Sequence, residues 1–141
     1  MARYRAILRA LAVAVLLALV VLPSQPSSAQ AVRGEASLRT ADGYGRLTFK
    51  FTQSMDAQVR LNGNILLISF PQPVDVAVDR INAGASDWIG AARRDPDGRS
   101  LRFALARKVK LNTIAAAEWL FVDLLPDSWT AAPPGLPQNV V

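Results

Sequence analysis

Apolar residues in this chain recur at every second position, a period that selects extended strands over amphipathic helices. In Arg46-Leu47-Thr48-Phe49-Lys50-Phe51, the apolar Leu47, Phe49 and Phe51 share one side and Arg46, Thr48 and Lys50 the other. That is a strand with one buried face. Ala57 to Leu61 alternates again, and Asn62-Gly63-Asn64 predicts a hairpin, because Asn and Gly accept positive φ. Ile65 to Phe70 is an apolar run, suited to a strand covered on both faces. Pro71 and Pro73 end it by removing ladder donors.

The same signals continue along the chain. Val74, Val76 and Val78 alternate with Asp75, Ala77 and Asp79, and Trp88 to Arg94 reads as a strand. Asp95-Pro96-Asp97-Gly98 is a turn, with Pro presetting φ and Gly supplying freedom. Leu101, Phe103 and Leu105 alternate, as do Val109 and Leu111, and a second apolar run from Trp119 to Leu125 stops at Pro126. Ile114 to Ala117 is too short to nucleate a helix. Val32 to Gly43 is polar without a sustained period and reads as an extended or flexible lead-in. The expectation is an all-β chain forming a small β-sandwich of two related antiparallel sheets over residues 44–125.

Residues 1–31 read as a secretory signal peptide. Arg3, Arg5 and Arg9 precede the apolar run Ala10 to Leu22, and Ala29-Gln30-Ala31 fits the small-residue cleavage pattern, after Ala31 or after Ala29. The run is shorter than the ~20 residues of a membrane span, so contact with membrane is expected only in transit, through this segment. The product is expected in the periplasm or outside the cell. Three of the 16 basic residues lie in the leader, leaving 13 against 11 acidic ones. So small an excess is no footprint for nucleic acid.

The chain has no His and no Cys. Imidazole bases, thiol nucleophiles and thiolate metal sites are therefore excluded. The close acid pairs, Asp75/Asp79 and Asp95/Asp97, sit in strand and turn patterns. No catalytic residue, metal ligand or cofactor is expected.

The two halves read alike. Leu47 to Phe51 resembles Leu101 to Leu105, Val59 to Asn62 resembles Val109 to Asn112, and Ile68 to Phe70 resembles Val122 to Leu124. Such a repetition suits two similar sheets packed face to face. With the closing run Trp119-Leu120-Phe121-Val122-Asp123-Leu124, the pattern over residues 44–125 resembles the AMIN module, although Ser69 stands in the first copy where Asp123 stands in the second. The resemblance implies a non-catalytic β-sandwich that targets its host to the cell wall. It also implies that the Pro-rich stretch 126–141 is a linker or tail, possessed by the N-terminal piece of a longer protein.

The candidate ligand-binding residues are Arg93, Arg94, Arg107, Lys108 and Trp88. The first four belong to a cationic stretch that also holds Arg99, Arg102 and Lys110, and Arg grips carboxylates in bidentate fashion. Peptidoglycan offers such carboxylates. Trp88, at a loop-to-strand transition, is expected partly exposed and able to stack on a sugar ring. Trp119 is expected in the core, and Trp129 to fold back over the sandwich. The expected partner is peptidoglycan, or else an envelope protein docked at a sheet edge.

Overall fold

The computed structural model describes residues 30–140; residues 1–29 of the leader expected over 1–31 lie outside them. Nine strands follow one another: β1 (Val32–Ala41), β2 (Tyr44–Phe51), β3 (Gln58–Asn62), β4 (Ile65–Ser69), β5 (Val74–Asp75), β6 (Ile89–Arg94), β7 (Ser100–Leu105), β8 (Val109–Ala116) and β9 (Trp119–Pro126). They form a five-stranded sheet, β5-β1-β2-β9-β8, and a four-stranded sheet, β3-β4-β7-β6, packed as a small β-sandwich. Every pairing is antiparallel except the short β1–β5 contact, which is parallel.

The alternating apolar residues meet between the sheets. Leu47, Phe49 and Val122 from one sheet and Leu66, Ile68, Leu101 and Phe103 from the other are wholly buried. Phe49 and Phe103 meet edge to face across the interior, with ring centroids 6.3 Å apart. Lacking any disulfide, the described chain is held by this packing and by its ladders.

The lead-in is extended, but Val32–Ala41 is a paired strand and Asp42-Gly43 a turn, which corrects the expectation of a flexible segment. β1 pairs with β2 along eight positions, from Gly34↔Phe51 to Ala41↔Tyr44. Its apolar period is hidden because two of its inward positions are Gly34 and Ala36. Small residues are required at the first of these: a Cβ on Gly34 would come within 2.6 Å of the Phe51 ring. The turn Asp42-Gly43 takes φ of 54° and 82°, the two-residue geometry that Asp-Gly favours.

The expected strand over 74–79 is also corrected. Only Val74 and Asp75 join a ladder, although Val74, Val76 and Val78 are all buried as their period demands. The Asn62-Gly63-Asn64 hairpin forms with Gly63 at φ 58°. The turn at Asp95 closes through Gly98 N donating to Asp95 O at 2.9 Å.

The sheets interleave the two halves of the chain. Read outward from one side, the strand orders are β1-β2-β9-β8 and β6-β7-β4-β3. Exchanging β1–β4 with β6–β9 converts one order into the other. The registers agree as well: Phe49 pairs with Leu120 and Leu47 with Val122, just as Phe103 pairs with Leu66 and Leu101 with Ile68. Val59 pairs with Ile68 and Thr113 with Val122. The position matching Val59 is therefore Thr113, not the Val109 that the sequence pattern suggests.

Candidate functional site

The cationic stretch does not form one rim. Arg94 reaches the β5 edge, donating from Nη1 to Val74 O at 2.8 Å and lying 3.9 Å from Asp75. Arg99 donates to Pro71 O. Arg107 lies at the turn before β8, where it donates to the backbone and carboxylate of Asp87. Lys108 stands 3.8 Å from Asp127, and Lys110 donates to Trp129 O. Arg94 and Arg99 are thus engaged at residues 71–75, Arg107 at Asp87, and Lys108 and Lys110 at residues 127–129.

Trp88 is not a stacking platform, which corrects that expectation. It is only 5 % exposed. One face is covered by the Arg107 guanidinium, 4.1 Å from the ring centroid, and the ring also lies against the backbone at Gly45, where a Cβ would meet it at 3.4 Å. The covering residue comes from a segment 19 positions away, so no local signal announces it.

Arg93 does face solvent, and cross-strand register gives it neighbours. Arg60 pairs with Leu67, Leu67 with Arg102, and Arg102 with Arg93. Residues 66, 68, 101 and 103 point into the core, so strand alternation places this whole row on the outer face of the four-stranded sheet. Three arginines thus span four strands, about 14 Å at the usual strand spacing. Arg102 is held by Asp95, Nε to Oδ1 at 2.8 Å and to Oδ2 at 3.1 Å. Arg60 makes one long contact with Gln58. The Arg93 side chain has no hydrogen bond or ion pair among the described residues. Beside it lies a depression of about 240 Å³ floored by Ile65, Ala91 and Ala104. Sequence reasoning included Arg93 and Arg102 but missed Arg60; alternation marks it as outward-facing, but only register brings it to this row.

The outer face of the five-stranded sheet is covered by the tail. Phe121, Asp123 and Leu125 alternate with the core residues of β9 and so point away from the interior, yet they are 1 %, 0 % and 5 % exposed. Trp129 packs edge-on against Tyr44, centroids 5.7 Å apart, which agrees with its expected return over the sandwich. Its Nε1 is buried without a hydrogen-bond partner among the described residues. Arg46 Nη2 donates to Gly135 O at 2.9 Å, and Asn112 Nδ2 to Pro134 O at 3.4 Å.

Under the tail sits a buried ion pair. Arg46 grips Asp123 with two bonds, Nε to Oδ1 at 2.6 Å and Nη2 to Oδ2 at 3.0 Å, and Asn112 donates to Oδ2 at 2.9 Å. The Arg46 guanidinium lies 5.2 Å from the Phe121 centroid. The bond to Asp123 raises Arg46 above the ordinary arginine range, against burial, which lowers it. A pair this enclosed fixes geometry more than it adds net stability.

Trp119 is not in the core, a further correction. It pairs with Lys50 at the outer face, stacks on Phe121 at 5.8 Å and carries the Lys50 ammonium 4.9 Å from its centroid. With Glu35, Ser37 and the tail residue Pro137 it lines an open groove of about 460 Å³. No group of three or more His, Cys, Asp or Glu side chains able to hold a metal gathers among the described residues.

The sequence matches no protein-family model and no curated protein.

Proposed function

We propose that this chain is a non-catalytic, exported envelope module that holds peptidoglycan on the outer face of its four-stranded sheet. The observation that carries this reading is the row Arg60, Arg102 and Arg93 on a face that the tail leaves open. Wall stem peptides and muramic acid present carboxylates at repeated intervals. A row of guanidinium groups spaced by strands suits such a polymer better than it suits a single small anion. Arg93 and Arg60 do the holding, and Arg102, already braced by Asp95, sets the spacing.

The AMIN-like reading fits this proposal in topology, because the interleaved strand orders are what a duplicated hairpin pair would produce. It assigns no binding role to Asp123, whose carboxylate is consumed by Arg46 and Asn112. The leader reading is supported by the fold's first strand, which begins at Val32, directly after Ala31.

The test is co-sedimentation of residues 32–141 with purified sacculi. Recovery above that of an unrelated β-domain, and its loss in an Arg60→Ala/Arg93→Ala chain, is the expected result. Recovery unchanged by that pair of substitutions overturns the assignment of the face. A second reading, docking of an envelope protein by strand addition, is favoured by β8. That edge strand is uncharged from Leu111 to Ala116 and is paired on one side only. In-cell crosslinking from Thr113 that captures one protein and no wall material would select it.

A further inference from the structure

The ladder of the five-stranded sheet shows which backbone groups of its edge strand β8 are open. Phe51 N donates to Glu118 O at 2.9 Å. Glu118 therefore faces β2, and alternation turns the N–H and C=O of Trp119, Phe121, Asp123 and Leu125 toward β8. Their register partners Ala116, Ile114, Asn112 and Lys110 face back toward β9. Val109, which lies opposite Pro126, and Leu111, Thr113 and Ala115 turn their N–H and C=O the other way, off the sheet. Among the described residues no hydrogen bond reaches these outward groups. The tail meets β8 through the side chains of Lys110 and Asn112, on the outer face, and adds no strand at the edge.

The other free edges carry the devices that keep strands from pairing. β3 has Arg60 at its centre, and β6 has Arg93, Arg94 and an irregular register at Gly90. β1, beyond its short contact with β5, carries Glu35 and Arg39. β8 has no charge from Leu111 to Ala116, and its exposed side chains there, Thr113 and Ala115, are small enough to admit a neighbouring strand.

We propose that β8 is a self-association edge, at which a second copy of this chain pairs antiparallel about a two-fold axis through Thr113 and joins the two five-stranded sheets into one. A new ladder must set open groups against open groups. The axis through Thr113 does so: it puts Thr113 opposite its counterpart, and Leu111 opposite Ala115 of the second copy. The same register brings Lys108 level with the Ala117-Glu118 turn of the second copy, at both ends of the joint. The Lys108 side chain is 82 % exposed, and Glu118 has no ion pair among the described residues. Opposite charges thus meet where the ladder ends, and like charges do not face each other across it. An axis through Asn112 also matches open groups, but it sets Lys108 and Lys110 against Ala116 and Ile114. The inference stands apart from the arginine row, which lies on the other sheet.

The chain contains no Cys, so single cysteines report the joint directly. In Thr113→Cys the two substituted positions face each other with Cα atoms about 5.5 Å apart, within the span of a disulfide. In Ala115→Cys, equally placed on the open edge, they are offset along the strands by about 14 Å. Mild oxidation should give the covalent dimer at least about tenfold faster from Thr113→Cys, since only that pair meets disulfide geometry. In sedimentation equilibrium the unaltered 32–141 chain should pass from one copy to two between about 1 µM and about 1 mM. Thr113→Pro should stay single, because proline there removes an open N–H and no bond to β9. Ala115→Lys, which charges the same edge without altering the backbone, should also stay single. Equal crosslinking from positions 113 and 115, or an unaltered chain that stays single up to about 1 mM, overturns the proposal. So does a dimer that survives both Thr113→Pro and Ala115→Lys, which would put the joint elsewhere.

Discussion

Gly63 and Ala117 stand at the same place in two hairpins, β3–β4 and β8–β9, and both take positive φ, 58° and 53°. The first residue is suited to that conformation and the second is not, since an L side chain in the left-handed region crowds the following carbonyl. Ala117→Gly is expected to stabilise the protein by about 1 kcal/mol, raising the melting temperature by about 4 °C. Gly63→Ala, whose Cβ meets nothing within 4 Å, should lose a similar amount through backbone strain alone. Thermal unfolding of the two single variants checks both signs.

β1 gives a sharper test of the strand that replaces the expected lead-in. Gly34→Ala forces a Cβ to within 2.6 Å of the Phe51 ring and 3.0 Å of Val76. Overpacking of this kind costs about 1–3 kcal/mol, read as a lower urea midpoint at unchanged slope. A loose N-terminal segment would tolerate the methyl group without effect.

Removing one partner of the Arg46–Asp123 pair leaves the other buried and uncompensated. Asp123→Ala should cost about 3–5 kcal/mol. The Arg46→Met/Asp123→Leu double variant should lose less than the sum of the two single variants, a coupling read from a double-mutant cycle. The sign of the pH effect follows from the raised Arg46. A group whose folded value is raised contributes its stability below its unfolded value and loses it as pH climbs through the folded one. For Arg46 that window lies above the ordinary arginine range. The cost of Arg46→Met should therefore be the same at neutral and moderately alkaline pH in urea titrations.

Wall binding through the arginine row should weaken with salt. Exposed charges are screened over about 10 Å at 0.1 M ionic strength and about 3 Å at 1 M. Co-sedimentation with sacculi is expected to fall across that range in the unaltered chain, and to be low throughout in Arg60→Ala/Arg93→Ala. Arg107→Ala removes the cover of Trp88, costs about 1 kcal/mol of stability, and should leave sedimentation with the wall unchanged.

What could be read along the chain was whatever large side chains announce in order. Leu47, Phe49, Leu101 and Phe103 showed their faces by alternation, and Gly63 and Gly98 marked their turns. β1 was illegible by hydrophobicity because Gly34 and Ala36 are too small to mark a face, although Asp42-Gly43 is itself a hairpin signal. The arginine row was half visible: each residue is outward by period, but Arg60 meets Arg102 and Arg93 only through pairings between distant strands. The tryptophans exchanged places for the same reason. Trp88 is enclosed by Arg107, 19 positions away, and Trp119 is left on the outer face beneath Lys50, 69 positions earlier. Asp123 looked like an interruption of an apolar strand until Arg46, 77 positions earlier, supplied its partner.

The interleaving of hairpins has a consequence for how the molecule is born. Phe49 must wait for Leu120 and Leu66 for Phe103, so the central contacts of one layer close only when the chain has been made as far as β9. Non-local pairings of this kind place small β proteins in the millisecond-to-second range of folding times. Until residue 120 has joined the chain, β2 lacks the partner strand that completes its layer, and the first half of the sandwich stays open.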